Sequence, residues 1–401
     1  MCAAAAWALA FAALAGQPRR PAYPGTLDQH PAIDYRGTPP TDVVTTLQGE
    51  LSSGAATLAF EGRQGYLRAL LARLDVPVES QVLLFSKTGI QHPFTDPAHP
   101  RALYFNDRVI VGYIPGAPVI ELASHDPRQG VVFQALKQES GPSQLTRPDR
   151  CLTCHLSANS LDVPGILVRS MFTDATGRTR PQLGSSLVDH RTPLERRWGG
   201  WYVTGSHGAA RHLGNAMVTD NMASEAAVNE TTLNQTTLDP RVDAEAYPLP
   251  TSDIAALLVF DHQGRGLNLL TRLGWEARIA AAESRLDVSA GDLRDLVHET
   301  ADYLLFVDEA ALPSPVQGVT RFARAFGERG PRDRRGRSLR ELDLQTRLFR
   351  YRCSYLIYSP AFDALPDEIR TAVYGRMREI LTGRGDGAVM EILDETRKGW
   401  R

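Results

Sequence analysis

The chain has 401 residues, of which 43% are hydrophobic and 22% are charged, and its formal net charge is −2 at pH 7. A chain of this length and composition can bury a large core, and a charge so close to zero argues against a nucleic-acid or membrane-surface partner.

The N-terminal residues 3–15 form a short apolar run that is rich in alanine and ends in Ala13-Leu14-Ala15 before Gly16. This pattern predicts a secretory signal peptide over residues 1–16 and a periplasmic or otherwise exported protein. No Lys or Arg precedes the run, so an ordinary alanine-rich helix is the alternative. The run is too short to span a bilayer and no later stretch approaches twenty apolar residues, so the sequence predicts no transmembrane segment.

Residues 17–40 are dense in proline and are predicted to form an extended arm. Helical spacing of apolar residues follows in residues 43–51 and 66–74. The sequence pattern then changes to short runs rich in β-branched and aromatic residues, separated by Pro, Gly and Asp. The strands predicted in this way cover residues 82–85, 103–105, 109–114, 119–122 and 131–136, which favours an antiparallel sheet.

Cys151-Leu152-Thr153-Cys154-His155 is a C-x-x-C-H motif. Two intervening residues begin a helical turn, so both thiols can form thioethers along one edge of a haem while the next residue coordinates the iron. The motif predicts one covalent haem c, held by Cys151 and Cys154, with His155 as the proximal iron ligand. A zinc site or a redox dithiol is the alternative, although the sequence has no second C-x-x-C, and the His207 and His212 pair lies far along the chain from the thiols.

Residues 150–250 are rich in Gly, Thr, Asn, His and Arg and are predicted to be loops around the haem. His207 is the preferred distal residue because glycines on both sides let the backbone approach a flat cofactor. Met217 is a possible distal ligand, as is Met222, and His262 is a second candidate for a catalytic histidine. His190 and His212 are interpreted as structural or propionate contacts. Four arginines are candidates for pairing with the propionates: Arg169, Arg196, Arg197 and Arg211.

The C-terminal third has helical periodicity throughout. A helix capped by Ser252 and interrupted near Gly264 and Gly266 is predicted first, and a second begins at Ser289-Ala290-Gly291-Asp292. Further helices are predicted over residues 366–381 and 387–398. Cys353 is interpreted as a buried apolar residue without a chemical role.

These elements predict an α+β fold with a strand-rich N-terminal part, a loop-rich haem-binding middle and a helical C-terminal part. The predicted organisation is a signal peptide (1–16), an arm (17–40), a strand-containing and haem-binding region (41–250) and a helical region packed on it (251–401). Regions 41–250 and 251–401 together are compatible with one continuous domain.

A single-haem electron carrier needs only about a hundred residues, and this chain is much longer. The sequence therefore leaves two functions open. The first is an exported monohaem cytochrome that transfers one electron to or from a redox partner protein. The alternative is a peroxidase-like or oxygenase-like haem oxidoreductase, in which a small-molecule oxidant reaches an open distal site near His207 or His262. A structural zinc module is a third hypothesis, and the sequence makes no prediction about oligomeric state.

The motif of residues 151–155 resembles the haem-attachment signature of the cytochrome c superfamily. Three further segments, LYFND (103–107), RWGGWY (197–202) and CSYLIY (353–358), are similar to a group of large exported bacterial proteins with a single C-x-x-C-H. The resemblance implies haem attachment through Cys151 and Cys154 and ligation by His155, and it implies no particular activity.

Overall fold

The computed structural model describes residues 25–219 and 234–400. The predicted signal peptide and Met222 lie outside the described residues. An antiparallel sheet occupies the N-terminal half and helices occupy the C-terminal part, so the predicted α+β fold is confirmed.

The described strands are β1 Val82–Leu84, β2 Arg101–Phe105, β3 Val109–Tyr113, β4 Val119–Asp126, β5 Gly130–Lys137, β6 Leu145–Thr146, β7 Arg169–Met171, β8 Ser185–Leu187 and β9 Trp201–Tyr202. Seven of them form the main sheet in the order β6-β5-β4-β3-β2-β1-β9, and β7 and β8 pair separately. Strands β1 to β6 follow one another as a meander, and β9 returns to pair with β1. The five predicted strands correspond to β1 to β5.

The described helices are α1 Val43–Ser53, α2 Leu67–Arg73, α3 Leu152–His155, α4 Ile254–Ala282, α5 Gly291–Leu304, α6 Phe322–Glu328, α7 Pro360–Asp363, α8 Asp367–Arg384 and α9 Gly387–Thr396. Helix α4, with 29 residues, is apolar around most of its circumference and buried on nearly all sides. A helix of that character forms the centre of a fold. No helix in residues 25–219 and 234–400 combines the length and the apolar character that crossing a bilayer requires.

The sheet separates two cores, because successive side chains of a strand point to opposite faces. Leu83, Tyr104 and Val111 point to the outer face, where α1 and α2 cover them. Phe105 and Phe133 point to the inner face and join the larger core around α4. The molecule therefore has a helix, sheet and helix layering, and α4 lies on the inner face.

Three details of the predicted C-terminal helices are wrong. Asp253 caps α4, and the helix runs without interruption through Gly264 and Gly266. A side chain at Gly266 would collide with Leu356, so tertiary packing explains this glycine. Helix α5 begins at Gly291 and has no side-chain cap.

The described part of the proline-rich arm packs on the domain. Tyr35 is buried, and its hydroxyl donates to the carbonyl oxygen of Val131 at 2.7 Å. Its ring lies 6.3 Å from that of Trp275. The arm thus contributes to the core between β5 and α4.

Candidate functional site

The C-x-x-C-H motif forms one turn of helix. Cys151 is the last residue of a 3₁₀ turn and has helical dihedral angles (φ −62°, ψ −35°), and α3 continues from Leu152 through Cys154 to His155. Residues three apart lie on the same side of a helical turn, so the two thiols share one side. Cys151 is half-buried against the inner core and Cys154 is exposed, while the buried side chain of Leu152 anchors the turn.

The imidazole of His155 has a defined orientation. Its Nδ1 lies 2.9 Å from the carbonyl oxygen of Gly165, and its ring centroid lies 4.7 Å from that of Phe133. A carbonyl accepts only from a protonated nitrogen, so Nδ1 carries the proton and Nε2 carries the lone pair. Nε2 makes no hydrogen bond with any described residue. Burial lowers the pKa of His155, which favours the neutral ring that can bind a metal.

The segment that contains Gly165, whose carbonyl accepts from His155, is held in place from two sides. Asn268 of α4 pairs with the backbone of Ile166, the next residue after Gly165. On the other side, the N–H of Val131 in β5 donates to Pro164 O at 3.0 Å. Helix α4 and strand β5 therefore position the imidazole through the backbone of Gly165.

An incompletely covered part of the inner sheet face lies beside His155. We call Leu103, Gly112, Ala123 and Ala135 the open inner face. Gly112 of β3 pairs with Leu103 of β2. Ala123 of β4 pairs with Phe133 of β5, whose ring contacts His155. Leu103, Ala123 and Ala135 are half-exposed. Three of these four residues carry only a hydrogen atom or a methyl group as a side chain.

Two charged side chains border this surface. Arg101 and Glu121 approach each other across Gly112, with 3.6 Å between Nε and the carboxylate oxygen. Arg101 Nε is buried without a hydrogen-bond partner among the described residues. Sequence reasoning did not select Arg101, because it lies in an ordinary strand fifty residues before the motif.

His207 lies in a different part of the molecule from His155. Its Nδ1 lies 2.7 Å from Ala210 O, and its Nε2 lies 3.2 Å from Nε2 of His212. Thr204, just before it, pairs with Ser252 at the start of α4. That end of α4 is about 20 Å along the helix axis from Asn268, which positions the His155 region. The structure does not bring His207 and His155 together, and a distal role for His207 stays a prediction.

His262 belongs to a second buried pair. Its Nδ1 lies 2.9 Å from Nδ1 of His190, and its Nε2 lies 2.7 Å from Ser354 Oγ. The neighbouring Asp261 faces elsewhere and accepts from Trp198 Nε1 at 3.0 Å and from Arg197 at 3.2 Å. In the sequence, His190, His262 and Arg197 were considered separately, and they were not predicted to lie together. Three polar residues in a row within an apolar helix, Asp261-His262-Gln263, could have indicated a buried polar cluster.

Trp198 links the two histidine pairs. Its ring lies 5.4 Å from that of His212, and its Nε1 bonds Asp261 beside the His190 and His262 pair. Burial lowers the pKa of His212 and of His262 to about 3, and it raises the pKa of Asp261 to about 7. The rings are therefore neutral at physiological pH.

The remaining candidates are dispersed. Met217 packs against the outer core, on the other side of the sheet from His155. Arg197 is buried with Asp261, and Arg196 and Arg211 are exposed. Arg169 in β7 is half-buried and donates to Ser185 Oγ at 3.1 Å.

Within the described parts of the chain, no three His, Cys, Asp or Glu side chains converge in a way that would hold a metal ion. Comparison of the chain with protein-family models, with curated proteins and with solved structures finds no match in any of the three.

Proposed function

We propose that this protein is an exported c-type cytochrome that carries one haem through Cys151 and Cys154, with His155 as an axial ligand. Its function is one-electron transfer with a redox partner protein. The observation that carries the proposal is the hydrogen bond from His155 Nδ1 to Gly165 O, which leaves the Nε2 lone pair available beside two thiols on one turn. Haem supplies the Fe(III)/Fe(II) couple when it is bound.

The residues around the motif fit such a cofactor. Metal-bound histidines generally donate their other N–H to a carbonyl or carboxylate, which fixes the tautomer and the ring orientation. His155 makes that bond to a backbone held by α4 and β5. The apolar run in residues 3–15 supports export, and haem c is attached outside the cytoplasmic membrane in bacteria.

Exposure of the motif supports electron transfer. Thr153 and Cys154 are exposed, so an attached haem would have its thioether edge close to the molecular surface. A partner protein can approach such an edge without any rearrangement of the fold. The large buried core around α4 then serves to hold the motif rigidly.

A specific observation favours a second candidate, a peroxidase-like or oxygenase-like haem oxidoreductase. Both ring nitrogens of His207 and of His262 are hydrogen-bonded within the protein, and Met217 packs on the opposite side of the sheet. None of these three side chains directs a donor atom towards His155. A sixth position without a strong protein ligand admits a small-molecule oxidant.

The visible spectrum of protein produced with a c-type maturation system distinguishes the two functions. The reduced protein is measured before and after carbon monoxide is added. A sharp α band that carbon monoxide does not move supports the electron carrier, and a band that shifts supports the oxidoreductase. Absence of covalent pigment from the wild-type protein contradicts both.

A further inference from the structure

The guanidinium of Arg101 is mostly buried and has no hydrogen-bond acceptor among the described residues. Its side chain is 13% exposed, and Nε is one of the buried nitrogens without a partner. The nearest anion is Glu121 at 3.6 Å, which is too long for a hydrogen bond. A buried guanidinium nitrogen without a hydrogen-bond acceptor costs free energy unless a ligand satisfies it.

The backbone around Arg101 accommodates this placement. The guanidinium lies against Gly89, where a Cβ would collide with it. Gly112 has no side chain, so Arg101 and Glu121 can approach each other above β3. The guanidinium is therefore held at the border of the open inner face.

The register of the sheet also connects Arg101 with His155. Arg101 and Leu103 lie on the same face of β2, and Leu103 pairs with Gly112 of β3. Ala123 of β4 pairs with Phe133, whose ring centroid lies 4.7 Å from that of His155. The open inner face thus extends from the proposed axial histidine to Arg101.

We propose that the open inner face is the seat of the haem macrocycle and that Arg101 binds a haem propionate. This inference rests on the proposed function. A haem is a flat apolar plate with two carboxylates, and Gly112, Ala123 and Ala135 let such a plate approach the sheet. An arginine guanidinium binds a carboxylate through two parallel hydrogen bonds. The Glu121 carboxylate, 3.6 Å from Arg101 Nε, is too far away to accept them.

The midpoint potential of the haem-loaded protein tests the proposal. A positive charge near the iron favours the reduced state, so Arg101→Gln lowers the potential and Arg101→Lys retains most of the wild-type value. Glu121→Gln removes a negative charge and raises the potential. Arg108→Gln, at an exposed position next to β3, leaves it unchanged.

Opposite shifts for Arg101→Gln and Glu121→Gln identify an electrostatic action on the haem. Shifts in the same direction show that the two residues act only as a structural pair, and they overturn the inference. A pigmented Arg101→Gln protein with the potential of Arg108→Gln overturns it as well. Wild-type protein without covalent pigment overturns the proposed function and this inference together.

Discussion

The side-chain amide of Asn268 pairs with both backbone groups of Ile166. Oδ1 accepts from the Ile166 N–H at 2.9 Å, and Nδ2 donates to the Ile166 carbonyl at 2.8 Å. This bidentate contact joins the central helix α4 to the segment that supplies Gly165, the acceptor for His155. One amide on a buried helix thus helps to orient the candidate iron ligand.

Asn268→Ala is expected to lower the free energy of unfolding by about 2–5 kcal/mol, because two buried backbone groups lose their partners. Denaturant unfolding followed by circular dichroism measures the change. Asn159→Ala is the matched control, since Asn159 is exposed in the same region. Its stability should remain within about 0.5 kcal/mol of wild type. Equal unfolding midpoints for the two variants would contradict the role given to Asn268.

Replacement of Cys151 and Cys154 by alanine is expected to abolish covalent pigment. In the proposed attachment each thiol would supply one thioether, and both lie on the same turn of chain. Cys353→Ala is the control, because Cys353 is fully buried and burial raises the pKa of its thiol. Pigment that remains with the polypeptide on a denaturing gel is the readout. Colour that survives denaturation in the double variant would show that the haem interpretation of the motif is wrong.

Stability is expected to rise between about pH 4 and pH 6.5. His212 and His262 have pKa values of about 3 in the folded protein and of 6.5 when unperturbed. The unfolded chain therefore binds more protons in this window, and raising the pH favours folding. Asp261 acts in the opposite direction, because its pKa rises from 3.8 to about 7. The effect of this one carboxyl group on stability is smaller than the combined effect of the two histidines.

Unfolding by denaturant at a series of pH values measures this dependence. His212→Gln removes one of the buried rings whose pKa is lowered, so the stability of this variant should change less steeply over the same range. A wild-type protein that is more stable at pH 4.5 than at pH 6.5 would contradict the assignment of neutral buried histidines.

Arg197→Met is expected to lower stability by about 3–5 kcal/mol, because it leaves the carboxyl group of Asp261 buried without its cation. The side chains are 3% and 0% exposed. Adding Asp261→Asn should restore part of the loss, since the amide retains an acceptor for Trp198 and carries no charge. Equilibrium unfolding of the single and double variants measures the recovery. A double variant less stable than Arg197→Met would argue against an uncompensated charge as the cause.

The sequence by itself determined the local features of this protein. Short runs of β-branched and aromatic residues between Pro, Gly and Asp predicted β1 to β5, because such side chains fit the pleated surface of a strand. The spacing of Cys151, Cys154 and His155 predicted their place on one turn, because three to four residues complete a helical turn. Neither inference needs any contact with a distant part of the chain.

The tertiary structure alone decided which distant residues meet. Gly266 was predicted to interrupt α4, yet the helix is continuous there, and Leu356 occupies the space that a side chain at this position would need. His190 and His262 were assigned separately and form one pair. Arg101 reaches the region of His155 through the order and register of the sheet. Such contacts depend on how the elements pack, and this arrangement is not encoded in the periodicity of any single segment.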